Sequence, residues 1–500
     1  NEGDTYSPSG NSNLTITDIH LAPSGDRTRA VVRAELEAPA TGNGIEYLNA
    51  QPRLGRQLGI STAQYNASGT VVGIGETETL DGESRTVVIR DTMAASGARD
   101  VTAGDEIRLG ERRVATVEGV AIYPTGNANQ YSVFTEVDLE TYSQQGDAYF
   151  GDTPVRRGQS VSLPADEYTI GGSLEQVGAG LDRGDTTVVI QDTLSERSAS
   201  EVSAGDEIAP GGQTAATIED VAVYPTSDAS QHTVFVEAAL DTYRQQGDAY
   251  FGDTQVRREQ SVTLPAEDYT IGGTIQRVDG GLEQNSTDVL VQTTVDTETA
   301  LSIAEGDVST VAGYETAAVE TVTTYATQDP DRTRVFVGLS LQTVGFGSDR
   351  RSSGTTPEEG NDINFRTEEY QLTGPIQRVG SLEQRGTPAN QTVTLELSDV
   401  DEETAGAFVP GMTERSGGEP VATVTDVAVE PEVIITTGDD GSVNVVDHPY
   451  LREVTLTTEL RVRETTAGVR FKGETIQQGS TVVLNFGTMT VEADVVTVGA

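Results

Sequence analysis

Chemistry needs polar groups held in a fixed constellation, and one eight-residue motif in this sequence repeats a pair of acidic residues at fixed spacing. Asp147 and Asp152 lie in Gly146-Asp-Ala-Tyr-Phe-Gly-Asp-Thr153, and Asp248 and Asp253 lie in its copy, Gly247-Asp-Ala-Tyr-Phe-Gly-Asp-Thr254. Carboxylate oxygens so spaced suit a hard cation, which makes a Ca²⁺ site one expectation. The simpler reading is a pair of Gly-Asp turns in which each Asp accepts backbone hydrogen bonds. Asp439-Asp440-Gly441 lacks the remaining ligands of a hand-type calcium loop. The histidines, His20, His232 and His448, fall at non-equivalent places, so no shared histidine site is expected. There is no nucleophile elbow, phosphate-binding loop, zinc-protease helix or dinucleotide fingerprint. With no cysteine, thiolate chemistry and disulfides are absent too. No catalytic residue is expected, and no cofactor beyond the candidate Ca²⁺.

The elements that would hold these residues belong to a repeat. The octapeptide recurs 101 residues later, and 22 of the 30 residues from Gly146 are identical to those from Gly247. Ala103-Gly-Asp-Glu-Ile107 returns as Ala204-Gly-Asp-Glu-Ile208, with fainter echoes at Gly306-Asp307 and Gly3-Asp4. Within a copy, runs such as Thr186–Thr193, Ala215–Tyr224 and Thr233–Leu240 alternate and are rich in β-branched residues, which reads as strand. Ser195–Val202 is the one helix-like piece, with Ser195 as N-cap. Gly272-Gly273 reads as a bulge or bend in the closing strand. The expected fold is all-β, a tandem array of about five small barrel-like modules of ~100 residues, each with one short helix. A β-sandwich is the alternative. The boundaries fall at 1–85, 86–185, 186–286, 287–390 and 391–500, with an inserted loop near 432–448 in the last module. Tyr123, Tyr224 and Tyr325 share one position and Phe134, Phe235 and Phe336 another, which reads as one core aromatic per module. The short helix followed by Gly-Asp resembles the Gly-Asp box of cradle-loop barrels.

Composition bounds the environment. The chain has 79 acidic residues against 32 basic, a net charge of −47, and Lys472 is its single lysine. The acids are dispersed rather than gathered in a tail. In molar salt the Debye length shrinks to roughly 3 Å, which screens the self-repulsion of such a surface. Near-total loss of lysine with Asp, Glu and Thr enrichment resembles proteins of extremely halophilic archaea. Nucleic acid is an unsuitable partner, because phosphate neutralisation needs basic patches. Sequons at Asn13, Asn66, Asn285 and Asn390 are glycosylation candidates and favour the cell exterior.

The ends are out of phase with the interior. The first copy begins at Gly3-Asp4, without the opening strand or helix, and the last stops on the closing strand Thr488–Val498. Either residues upstream of Asn1 supply the opening strand or a neighbouring chain donates one. Gly3, Asp4, Thr490, Val491, Val495, Val496 and Val498 are therefore the assembly candidates.

Asn1-Glu-Gly-Asp-Thr-Tyr-Ser-Pro8, Leu14–Ile19, Tyr149–Asp152 and Val155–Gly158 together resemble haloarchaeal membrane-anchored proteins carrying a repeated domain of unknown function. That resemblance implies an N-terminal membrane helix upstream of Asn1 and transfers no activity. Gly104–Val117 is similar to the core of lipid-transporting cell-entry domains, which form rings and tubes. The expectation is a non-enzymatic, extracellular structural protein of a halophilic archaeon that assembles with itself, head to tail, into a filament, sheath or tube. The alternative is a membrane-tethered stalk or a ring-forming binding or lipid-handling array, touching the membrane only through a segment outside this sequence.

Overall fold

The computed structural model describes residues 1–8, 12–25, 27–42, 44–62, 64–75, 80, 82–144, 146–226, 228, 230–346, 349–352, 356–437 and 443–499. Strand takes 64% of the residues and helix 6%, in curled sheets that run from half-barrels to nearly closed barrels in tandem. The fold is all-β. Contacts divide the chain into two compact units, one of residues 1–192, 201–221 and 235–281, the other of 193–200, 222–234 and 282–500.

The second module shows the plan. Its opening strand Gly82–Ala94 pairs antiparallel along its length with Gln130–Gln144, which forms a hairpin with Arg112–Pro124. On its other edge the opening strand takes the closing strand Thr169–Val177, which pairs with Ser160–Pro164. Alternation sends Val87, Ile89, Val133, Val137, Leu139, Leu163, Ile170 and Leu174 into one core. The same strand order recurs around Arg183–Ser195, Glu283–Asp296 and Thr387–Asp401. These opening strands start three or four residues ahead of the boundaries expected from sequence.

Two local devices recur. The closing strand crosses the opening strand so closely that a Cβ on Gly172 would lie 1.9 Å from the Arg90 carbonyl oxygen, and one on Gly273 2.4 Å from that of Gln191. The Gly-Gly bend read from sequence is thus a steric requirement. The Gly-Asp box clips onto the hairpin: Gly104 N–H donates to the Val117 carbonyl (2.7 Å), and Val117 N–H to that of Asp105 (2.9 Å). Gly3, Gly205, Gly306 and Gly411 make the same bond in the other modules. The Asp105 carboxylate then accepts from Thr102 N–H (3.0 Å) and the Tyr168 hydroxyl (2.5 Å). Asp206 pairs likewise with Tyr269, Asp307 with Tyr370 and Asp4 with Tyr65. In the fifth module both partners change together: Met412 and Met489 occupy the two places and pack on that module's core. Burial, and then the Asp105 carboxylate, hold the Tyr168 phenol well above its ordinary pKa. Tyr168→Phe should cost the second module about 1–2 kcal/mol in urea unfolding, because the carboxylate loses a charge-assisted bond.

Each short helix has six residues: Ala95–Asp100, Glu196–Glu201, Thr297–Ser302 and Glu402–Ala407. Ser195 caps the second as expected, accepting from Ser198 N–H (3.2 Å). In the first module the hairpin Asn13–Ser24/Arg27–Glu37 carries no strand on its Arg27–Glu37 edge among the described residues. In the fifth, the expected inserted loop is instead an extension of the hairpin Glu419–Thr437/Val443–Thr465, paired from Val433↔Asp447 to Thr437↔Val443. The Gly438–Gly441 tip lies outside the described residues.

Candidate functional site

The octapeptide that carries the four aspartates is a tongue. In the second module Asp147–Phe150 and Thr153–Pro154 form a tiny hairpin beside the end of Gln130–Gln144. Gly151 turns it at φ +62°, in the left-handed region that favours glycine. Tyr142 stacks on Tyr149 (centroids 5.8 Å, 27°) and donates its hydroxyl to the Gly151 carbonyl (2.8 Å). Tyr243 does the same for the next tongue, stacking on Tyr250 (5.7 Å) and donating to Gly252 (3.1 Å).

The tongue docks into the preceding module. A Cβ on Gly151 would stand 2.9 Å from that of Ala22, one on Gly252 3.0 Å from that of Tyr123, and one on Gly473 2.5 Å from Cζ of Phe336. These are joints between the first and second, second and third, and fourth and fifth modules. In the second joint Tyr123 and Phe134 of the socket pack against the tongue side: Tyr123 on Phe251 (5.2 Å, edge-on) and Phe134 on Tyr243 (4.5 Å). Tyr123 and Phe134 are buried, as expected of core aromatics, and they also fill a joint between modules. In the first joint the same face of the strand carries His20 in place of Ala121 and Ala22 in place of Tyr123. The ring has moved two residues along one face, and Gly151 N–H donates to His20 Nε2 (3.4 Å).

An ion pair closes each joint. Arg29 meets Asp152 at 2.8 Å, Arg90 meets Asp253 at 2.6 Å, and Arg334 meets Glu474 at 2.5 Å while donating to the Lys472 carbonyl (3.1 Å). Two of the four candidate calcium ligands are thus partnered by arginine, while Asp147 and Asp248 are exposed at the base of the tongue. No group of three or more potential ligands able to hold a metal occurs among the described residues. These pairs are largely exposed and contribute little each. The close glycine approach and the ring contacts supply the fit. Gly252→Ala should cost about 1–3 kcal/mol through the lost approach and the positive φ of +57°. Gly247→Ala, also at positive φ but in open space, isolates the backbone contribution. Urea unfolding of both variants checks this.

The other sequence candidates fall elsewhere. Thr490–Val498 is hydrogen-bonded on both sides within its own module, with Val495 opposite Leu395, Val498 opposite Val393, Val491 opposite Leu484 and Thr490 opposite Asn485. With Val496 in that same strand, the C-terminal candidates are not a free strand for donation. Gly3 and Asp4 form the first module's own Gly-Asp box. Asn66, Asn285 and Asn390 are exposed, whereas the Asn13 amide is held by Ser7 and Glu37. His448 Nδ1 accepts from Tyr450 and Leu451 N–H, and His232 is buried with no hydrogen-bond partner for either ring nitrogen among the described residues.

Residues 360–499 match the family described as Domain of unknown function (DUF4330). The match spans the last strands of the fourth sheet and the whole fifth module, less than half of the chain. No curated protein matches the sequence.

Proposed function

We propose that this chain is a non-enzymatic structural protein of the cell surface, from a halophilic archaeon, that works by serial docking of β-modules and assembles head to tail with further copies. The observation that carries the reading is the tongue-and-socket joint. The copied octapeptide sets its turn glycine against the preceding module's hairpin at two junctions, and at a third Gly473, one place further along the fifth tongue, meets Phe336. Such joints fasten a module to its neighbour without a long linker, since from the second module onward only four to seven residues separate a closing strand from the next opening strand. A dispersed acidic surface keeps the assembly soluble in molar salt, where apolar contacts do the joining.

The fifth module presents the same hairpin face outward. Ala428 and Glu430, at the places of Ala121 and Tyr123, are exposed, and the extended ribbon exposes Val433, Ile434, Ile435, Val443, Val445 and Val446. An apolar ribbon of this kind suits joining to another chain. One observation favours the alternative of a stalk or ring: Glu430 and Glu453 stand where the fourth module has Tyr325 and Arg334, so this socket differs from the internal ones. Electron microscopy of purified protein in molar salt decides between them. Filaments that shorten as salt is removed are expected, whereas single particles or closed rings would replace the polymer reading with the alternative.

A further inference from the structure

The second unit contains a cavity of about 430 Å³ whose lining includes Arg378, Arg385, Arg463 and Arg470, with Gln292 and Gln377. Four guanidinium groups around one cavity are anomalous in a chain with 79 acidic and 32 basic residues. Two of them have carboxylate partners: Arg385 pairs with Glu359, and Arg463 lies 3.6 Å from Glu383 while donating to the Gln384 and Gly386 carbonyls. Arg378 donates to the Glu383 carbonyl oxygen (2.8 Å). The Arg470 side chain has neither hydrogen bond nor ion pair among the described residues, and its Nε is buried.

The repeat sharpens the anomaly. Arg463 and Arg470 are direct cross-strand partners. Their places are those of Tyr142 and Tyr149, and of Tyr243 and Tyr250, which are stacked pairs in the second and third modules. The fifth module has therefore exchanged a self-sufficient aromatic pair for two like charges set opposite each other, an arrangement that destabilises a sheet unless an anion lies between them. The volume falls within the range of small-molecule sites. Guanidinium forks match the paired oxygens of phosphate and sulfate groups, and side-chain amides can complete the set.

We propose that this cavity binds a small oxyanion ligand, a phosphate or sulfate group either free or carried as an ester, with Arg463 and Arg470 as its principal contacts. Most of the residues named here lie inside the segment matched by the domain of unknown function, so the site gives that segment a binding role distinct from its structural one.

The test is isothermal titration of the full chain, at fixed high chloride, with inorganic phosphate, inorganic sulfate and glycerol phosphate in separate arms. Binding in at least one arm is expected, and the tightest arm tells a free anion from an ester. Arg463→Tyr/Arg470→Tyr, which rebuilds the aromatic pair of the second and third modules, and Arg470→Gln should each weaken that binding about tenfold or more. The double variant without anion should be at least as stable as the parent in urea, because the like-charge pair is gone. No binding in any arm, or equal affinity in parent and both variants, would overturn the proposal.

Discussion

Replacing Lys472 with Met will cost the fifth module about 3–5 kcal/mol, and replacing Glu414 with Ile in the same chain will recover most of it. Lys472 sits in the turn of the fifth tongue at φ +52°. Its ammonium donates to Glu414 Oε1 (2.6 Å) and to the Val483 carbonyl (2.6 Å), with the lysine side chain 7% and the glutamate 4% exposed. Glu414 occupies the place of Ile107 and Ile208, which are core residues in the second and third modules. Burial raises the Glu414 pKa and lowers that of Lys472, and each charge is held chiefly by the other. Removing the lysine leaves a desolvated carboxylate whose Oε2 already lacks a hydrogen-bond partner among the described residues. Removing both charges returns the site to the apolar pattern of the other modules, and buried pairs commonly tolerate such exchange. Urea unfolding of the single and double variants at fixed salt measures both quantities. A single variant within about 1 kcal/mol of the parent would show that the pair contributes nothing net. Because the pair is out of water, its contribution should change little with salt, unlike that of the exposed pairs at the joints.

Period-2 alternation, turn glycines and the 101-residue repeat suffice to read the strands, the short helix, the Gly-Asp box and the Gly-Gly bend. These depend on neighbours within one module, where spacing in sequence maps onto spacing in the sheet. The joints were harder to read. The tongue is visible as a repeated octapeptide, but its partner lies 129 residues upstream for both Gly151 and Gly252. The closing arginine comes from a hairpin strand at Arg29 and Arg334 and from an opening strand at Arg90, so no register marks it. The aromatics that recur at the places of Tyr123 and Phe134 look like core residues because both uses demand burial. One signal was available. Tyr123, Tyr224 and Tyr325 give way to Glu430 in the last copy, directly opposite Glu453, and two neighbouring acids do not suit a position that serves only its own module's core. The C-terminal strand is a different case, because it is paired within its own module in this chain. A strand at the end of a repeat carries the same pattern whether it is bonded at home or lent to a neighbour.

Lowering the pH from 7 to 4.5 should destabilise the first joint by about 2–3 kcal/mol through His20 alone. His20 is 8% exposed, against Tyr142 (4.9 Å) and Phe150 (6.1 Å), and its Nε2 accepts the Gly151 N–H. Burial, and then the nearby Arg112 guanidinium, lower its pKa from 6.5 to about 4. An unfolded chain takes up the proton near pH 6.5, while the folded joint refuses it until about pH 4. The stability tied to neutral His20 is therefore complete above pH 6.5 and is lost as the pH falls toward 4. Below that both states are protonated and the loss levels off. Protonation also converts the accepting nitrogen into a donor facing the Gly151 N–H, so the hydrogen bond cannot survive it. Carboxylates titrate in part of this range, and His20→Gln separates the two effects. Glutamine keeps a neutral acceptor and has no proton to take up, so parent and variant should differ in the slope of stability against pH between 6.5 and 4.5 and share whatever slope the carboxylates produce. Parallel curves over that interval would mean that His20 is solvated at the joint. The second joint has Tyr123, Phe134 and Phe251 in place of a titrating ring, so a pH step in this window should loosen the first module from the second before it affects the second and third.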